Sequence, residues 1–204
     1  MVGVDPEGLA AATAALSEGA VVGIPTDTVY GIAVALAAGA PATRALFAAK
    51  QRPHDVDLPV LVADLDQAET LGILGPMGRV LAAYFWPGPL TLVVPRRPGM
   101  DADLGSRSGT IGLRVPAHPV PISLCWAAGP LATTSANLHG HPPATTATGV
   151  VAQLRTGGLA VVIDGGTCAG APSTVVAVTG DELTILREGA IGLPSLKSAL
   201  RDPE

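Results

Sequence analysis

The apolar positions of this chain fall into short, dense runs separated by polar and glycine-rich punctuation, a pattern that predicts alternating strands and helices. The runs are Ala20 to Ile24, Leu58 to Val62, Leu90 to Val94, Thr110 to Val115, Ala160 to Ile163, Thr174 to Val178 and Leu183 to Leu186. Runs this short and this rich in Val, Leu and Ile read as strands, several of them buried on both faces. Asp5-Pro6 offers an N-cap followed by proline at the first helical position, and Gly19 follows the alanine-rich stretch, so a first helix is predicted over 6 to 18. Further helices are predicted at 41 to 50, 64 to 71, 76 to 85, 119 to 128, 147 to 155 and 194 to 201. Asp64 and Gln67 have the spacing of a capping box, and Gly72 stands where a helix would stop. The strands at 160 to 186 are expected to follow one another through short turns, so the alternation is not strictly βαβ. The prediction is an α/β fold of α+β character, a twisted mixed sheet flanked by helices.

Composition narrows the class. A chain of 204 residues can bury a full core as one compact domain, and 48% hydrophobic with 14% charged residues argues against disorder. The formal charge of -5 argues against a protein whose main work is non-specific nucleic-acid binding, while leaving room for a small basic site. Cys125 and Cys168 do not have a zinc-ligand spacing, and the first residues lack the pattern of a signal peptide, so a cytoplasmic protein is expected. Residues 115 to 154 contain no Asp, Glu, Lys or Arg, but prolines at 116, 119, 121, 130, 142 and 143 interrupt them. That stretch reads as protein interior plus a site-lining loop, not as a membrane span.

Chemistry concentrates in a few places. Only two lysines occur, and one stands in Lys50-Gln51-Arg52-Pro53, a cationic fork suited to a polyanion. Three further segments place hydroxyls or amides beside apolar runs: Pro25 to Gly31, Thr133 to Asn137 and Ser173 to Val176. Taken singly, each has a plain structural reading. A Lys-x-Arg at a helix end also suits the helix dipole, and Ser135-Ala136-Asn137 could be an ordinary turn. Thr26 and Thr28 could end a strand, Arg187 could be a solvated strand terminus, and Trp86-Pro87-Gly88-Pro89 reads as a rigid structural turn. Neither lysine lies in a P-loop, and no Gly-x-Gly-x-x-Gly, His-Glu-x-x-His or Gly-x-Ser-x-Gly occurs. His139 and His141 lack a nearby carboxylate or cysteine and are placed on a surface loop.

Taken together, the segments resemble the TsaC/YrdC family of threonylcarbamoyl-AMP synthases. The residues that carry the resemblance are Pro25 to Gly31, Lys50 and Arg52, Ser135 and Asn137, Ser173 to Val176, and Ile185 to Gly189. Trp86 to Thr91 and Thr110 to Pro116 also match. The likeness runs from about residue 13 to 193 and implies one YrdC-like domain over 1–204, the short form of the family, with a concave nucleotide site.

The resemblance implies that ATP, bicarbonate and L-threonine give threonylcarbamoyl-adenylate and pyrophosphate. A downstream transferase complex would then use the product to modify an adenosine in tRNA, with direct tRNA binding a weaker expectation. Lys50 and Arg52 would be the catalytic cations, working with Mg2+ that enters with ATP to stabilise charge on the phosphates. Thr110, Ser135, Asn137 and Arg187 would complete the ATP contacts, and Thr28, Arg114 and Ser173 would hold the threonine. A guanidinium such as Arg114 can grip a carboxylate bidentately. Asp27 is the carboxylate nearest the motif, but a turn-capping role suits it equally, and no general base is assigned. Much of the rate would come from holding three reactants together.

Ala177, Glu188 and His139 depart from the common family pattern without removing an assigned residue. Two alternatives stay open on the sequence: a paralogue forming a related carbamoyl-adenylate, and a non-catalytic RNA-binding module.

Overall fold

Caps written in the sequence start the first helix. Asp5 accepts the Gly8 N–H at 2.8 Å, Pro6 occupies the first turn, and α1 spans Pro6–Ser17. The computed structural model of this chain describes residues 1–51, 56–106, 108–155, 157–180 and 182–201. Six more helices follow: α2 (Gly39–Lys50), α3 (Leu65–Leu71), α4 (Gly75–Phe85), α5 (Pro119–Ala128), α6 (Ala147–Gln153) and α7 (Leu193–Arg201). The strands are β1 (Val21–Ile24), β2 (Gly31–Ala35), β3 (Val60–Leu61), β4 (Leu90–Pro95), β5 (Thr110–Arg114), β6 (Leu131–Ser135), β7 (Leu159–Val162), β8 (Thr174–Thr179) and β9 (Glu182–Arg187).

Among the described residues these strands form one mixed sheet in the order β7-β1-β2-β6-β3-β5-β4-β8-β9. Three neighbouring pairs are parallel and the rest antiparallel. Helices cover both faces. On β2, Ile32 and Val34 point into a core shared with α2, α4 and α7, while Ala33 and Ala35 join α1 and α5 on the other side. The two-residue period of a strand thus divides a wholly buried segment between two cores.

Two strands were not expected from the sequence. β2 reads Gly-Ile-Ala-Val-Ala and β6 reads Leu-Ala-Thr-Thr-Ser, each diluted by residues with weak strand preference. They form because they sit paired on both edges near the centre of the sheet, where packing overrides propensity. The expectation of short turns through 160 to 186 is half corrected. β8 and β9 are joined tightly, but β7 lies at the opposite edge of the sheet, and residues 163–173 cross between the two. This crossover is pinned to the protein beneath it. The Tyr30 hydroxyl donates to the Gly166 carbonyl at 2.9 Å and accepts the Gly165 N–H at 3.0 Å, while the Gly170 N–H reaches the Thr28 carbonyl at 2.7 Å.

The predicted cap at α3 forms in a shifted version. Asp64 accepts the Gln67 N–H at 2.7 Å, but the Gln67 side chain reaches back to the N–H of Ala63, one residue earlier than in a capping box. Gly72 ends α3 in extended backbone, so its role is not left-handed geometry. A Cβ there would lie 2.7 Å from a Val94 methyl and 2.8 Å from one of Leu113, because the chain presses against β4 and β5. No helix among the described residues is long and apolar enough to cross a membrane.

Gly72→Ala should therefore overpack the α3–sheet contact and lower stability by ~1–3 kcal/mol. The check is a urea melt, with a reduced midpoint and an unchanged slope expected.

Candidate active site

Several strand ends and the loops that enter them surround one cavity of about 460 Å³. The β1–β2 loop contributes Thr26 and Thr28, β5 contributes Thr110 and Arg114 from its two ends, and β6 contributes Ser135. Thr91 on β4, Ser173 just before β8 and Arg187 at the end of β9 close the opposite side.

Arg114 is the buried cation of this cavity. Its Nε donates to the Gly88 carbonyl at 2.9 Å, one terminal nitrogen to Thr28 Oγ1 at 3.1 Å, and the other to Asp27 Oδ1 at 2.7 Å. Burial pulls the guanidinium pKa down, and the adjacent Asp27 charge and hydrogen bond push it back up. Arginine stays charged under such shifts, so the group remains a cation.

The neighbouring hydroxyls have fixed directions. Thr26 Oγ1 donates to the Val29 carbonyl at 2.7 Å, so in its 2.9 Å contact with Thr28 Oγ1 the proton comes from Thr28. Thr28 also accepts from Arg114, which leaves a lone pair and no proton for the cavity. The same logic holds at Thr110. Ser108 donates to Asp57 Oδ2 at 2.9 Å, so Thr110 is the donor in its 2.9 Å bond with Ser108.

Lys50 ends α2, but its ammonium reaches across to the end of β6. It donates to the Ser135 carbonyl at 2.7 Å, to Ser135 Oγ at 3.1 Å and to Asn137 Oδ1 at 3.2 Å, with only 3% of the residue exposed. Asn137 is held in that orientation because its amide nitrogen donates to the carbonyls of Leu138 and His141. Lys50 and Asn137 do not line the cavity themselves; they meet it through Ser135. Arg52, the other arm of the fork, lies outside the described residues. Across the cavity, Arg187 donates to the Ser173 carbonyl at 2.8 Å and to Ser173 Oγ at 2.9 Å, and Ser173 Oγ lies 3.0 Å from Thr91 Oγ1.

Thr28, Thr110, Arg114, Ser135, Ser173 and Arg187 thus share one cavity although they span most of the chain. Three parts of the arrangement went unread in the sequence. Asp27 pairs with Arg114, where turn capping was the alternative considered. The Gly88 carbonyl holds Arg114, so Trp86 to Pro89 is tied to the site and not only a structural turn. Thr91 belongs to the wall beside Ser173, and its place within the Trp86 to Thr91 motif was the available signal. His139 and His141 lie exposed, as their loop assignment expected.

Behind the cavity, His118 accepts the Val120 N–H through Nδ1 at 3.2 Å and so caps α5. Burial lowers its pKa, with the Asp27 charge acting in the opposite direction. Burial raises the Cys168 thiol, and the Asp27 charge adds to that rise, while Cys125 is pushed up to about 12 by burial. Neither thiol is primed as a nucleophile. Among the described residues no three His, Cys, Asp or Glu side chains converge as a metal centre.

The sequence matches the family described as Sua5_yciO_yrdC, telomere recombination, over residues 14–189. A Mycobacterium tuberculosis (strain H37Rv) protein provisionally named threonylcarbamoyl-AMP synthase is 41% identical over 202 residues, covering 96% of this chain and 92% of its own length. Threonylcarbamoyl-AMP synthase of Bacillus subtilis (strain 168) is 38% identical over 200 residues, covering 96% of this chain and 57% of that protein. Among solved structures, P. abyssi Sua5 complexed with L-threonine superposes with a TM-score of 0.91 at 32% identity, over 98% of this chain and 60% of that one. The chain thus spans less than two thirds of these last two relatives.

The His118 environment gives a pH test. Its imidazole should titrate below the ordinary value of about 6.5, and Asp27→Asn should lower the midpoint further by removing the charge that favours the imidazolium. An NMR titration of the His118 ring protons checks both directions.

Proposed function

The chain belongs to the Sua5/YciO/YrdC family, and we propose that it is an L-threonylcarbamoyladenylate synthase, using ATP, bicarbonate and L-threonine. The observation that carries this reading is the gathering of Arg114, Thr28 and Ser173 in the same cavity as Ser135, Thr110 and Arg187, with the Lys50 ammonium seated on Ser135. An amino-acid end and a nucleotide end then face each other within one enclosure.

In this reading the threonine amine adds to bicarbonate with loss of water, giving a carbamate. A carbamate oxygen attacks the α-phosphorus of ATP, the bond to the β-phosphate oxygen breaks, and pyrophosphate leaves. Arg114 holds the threonine carboxylate, with Thr28 and Ser173 beside it. The acceptor polarity of Thr28 suits the amine or the side-chain hydroxyl of the substrate more than its carboxylate. Lys50 and Arg52 are the cations assigned to the phosphates, where negative charge grows in the transition state. Thr110, Ser135, Asn137 and Arg187 are assigned to the nucleotide. Mg2+ enters bound to ATP and supplies further charge neutralisation at the phosphates.

No acid–base residue carries the rate in this scheme. Confining three reactants in one cavity removes much of the entropic barrier. The product is a mixed anhydride that needs an acceptor, and the reading assigns it to a transferase complex that modifies tRNA in the cytoplasm.

The test incubates purified protein with ATP, magnesium, bicarbonate and radiolabelled L-threonine and separates any threonine-bearing adenylate. Wild type should form adenylate and pyrophosphate together, and Lys50→Ala should reduce the rate by about a hundredfold or more. Absence of adenylate from folded wild type, or an undiminished rate in Lys50→Ala, would refute the assignment.

A further inference from the structure

We infer that Asp27 is a positioning residue for substrate recognition, orienting the Arg114 guanidinium so that it presents an end-on pair of N–H donors to the threonine carboxylate. This rests on the proposed synthase activity and adds a residue to its amino-acid end.

The inference comes from counting donors. A guanidinium carries five N–H groups, one on Nε and two on each terminal nitrogen. The Gly88 carbonyl takes the Nε proton, Thr28 Oγ1 takes one proton of one terminal nitrogen, and Asp27 Oδ1 takes one of the other. One N–H therefore remains on each terminal nitrogen. Nε is committed, so side-on gripping through Nε is closed to a ligand, and a bidentate grip has to use the two terminal nitrogens. Rotating the fork in its plane would break all three bonds at once.

Among these partners Asp27 is the anionic one. Arg114 and Thr28 line the cavity and Asp27 does not, so it acts through Arg114 and not by touching the substrate. Its side chain is 14% exposed and that of Arg114 7%. Breaking a buried ion pair leaves an uncompensated charge, whereas the intact pair adds little net stability. Holding a fork in one plane is a task for which such a pair is suited, because a charged acceptor makes the shorter and stronger hydrogen bond. The position of Asp27, adjacent in sequence to Thr28, fixes both partners on one turn of the β1–β2 loop.

The experiment measures binding of L-threonine and of L-threoninamide, which lacks the carboxylate, to the full chain by calorimetry, with ATP binding as a control. Wild type should prefer threonine over the amide. Asp27→Asn keeps the volume and one acceptor but loses the charge, and should reduce that preference by about tenfold while leaving ATP affinity unchanged. Asp27→Ala should reduce it further. A loss of fold alone would weaken both amino-acid ligands and ATP in parallel, so the ratio separates orientation from general damage.

Variants that retain the wild-type preference overturn the inference. So does an equal loss for both ligands, or an Asp27→Asn chain that no longer folds, which would make Asp27 a stability residue. If wild type itself binds no threonine, the synthase reading fails first. If wild type binds it and the variants discriminate equally well, only the role of Asp27 falls.

Discussion

A guanidinium buried at a strand end has to find acceptors, and around Arg114 that requirement organises the cavity. An unpaired buried charge is costly enough that every nearby segment is constrained to supply a partner. The partners arrive from the turn before β4 and from the β1–β2 loop, separated from Arg114 by 26, 86 and 87 positions. Lys50 makes a parallel demand at the end of β6, where it draws α2 onto Ser135 and Asn137. Two buried cations thus tie together segments whose side chains form the walls. The chemistry of the site and the closure of the fold depend on the same bonds.

Direction matters as much as proximity. The hydroxyl chains end on fixed acceptors, the Val29 carbonyl at one end of the cavity and the Asp57 carboxyl at the other. Thr28 and Thr110 consequently offer lone pairs, while Arg114 offers protons. A ligand with donors and acceptors in the complementary order meets a preset arrangement and does not have to reorient it.

Much of this was legible from residue type. The α1 cap at Asp5-Pro6 is a local signal, and strands rich in Val, Leu and Ile announce themselves without tertiary context. β2 and β6 escaped because their Gly, Ala and Thr are strand formers only when flanked on both sides. The edge position of β7 escaped because adjacency in sequence says little about adjacency in a mixed sheet. The hydroxyl and cationic site residues were found through ordered motifs, since each had a plain alternative when read singly. Asp27 and Gly88 were not, because a partner 87 or 26 positions away is defined by the fold and carries no local mark.

The crossover at residues 163–173 bears on how the protein is made. During synthesis the segments that hold Thr28, Arg114 and Ser135 emerge before Ser173 and Arg187, so one wall of the cavity exists in the nascent chain without the other. The crossover then carries the chain from one sheet edge to the other, where β8 pairs with β4, a partner more than eighty positions earlier. Such long-range closure is slow compared with helix formation. Until it happens, β4 is an edge strand that carries Leu90 and Leu92 and is open on one side, a surface on which another chain could pair. Completing the ligand cavity and covering the β4 edge are one folding event.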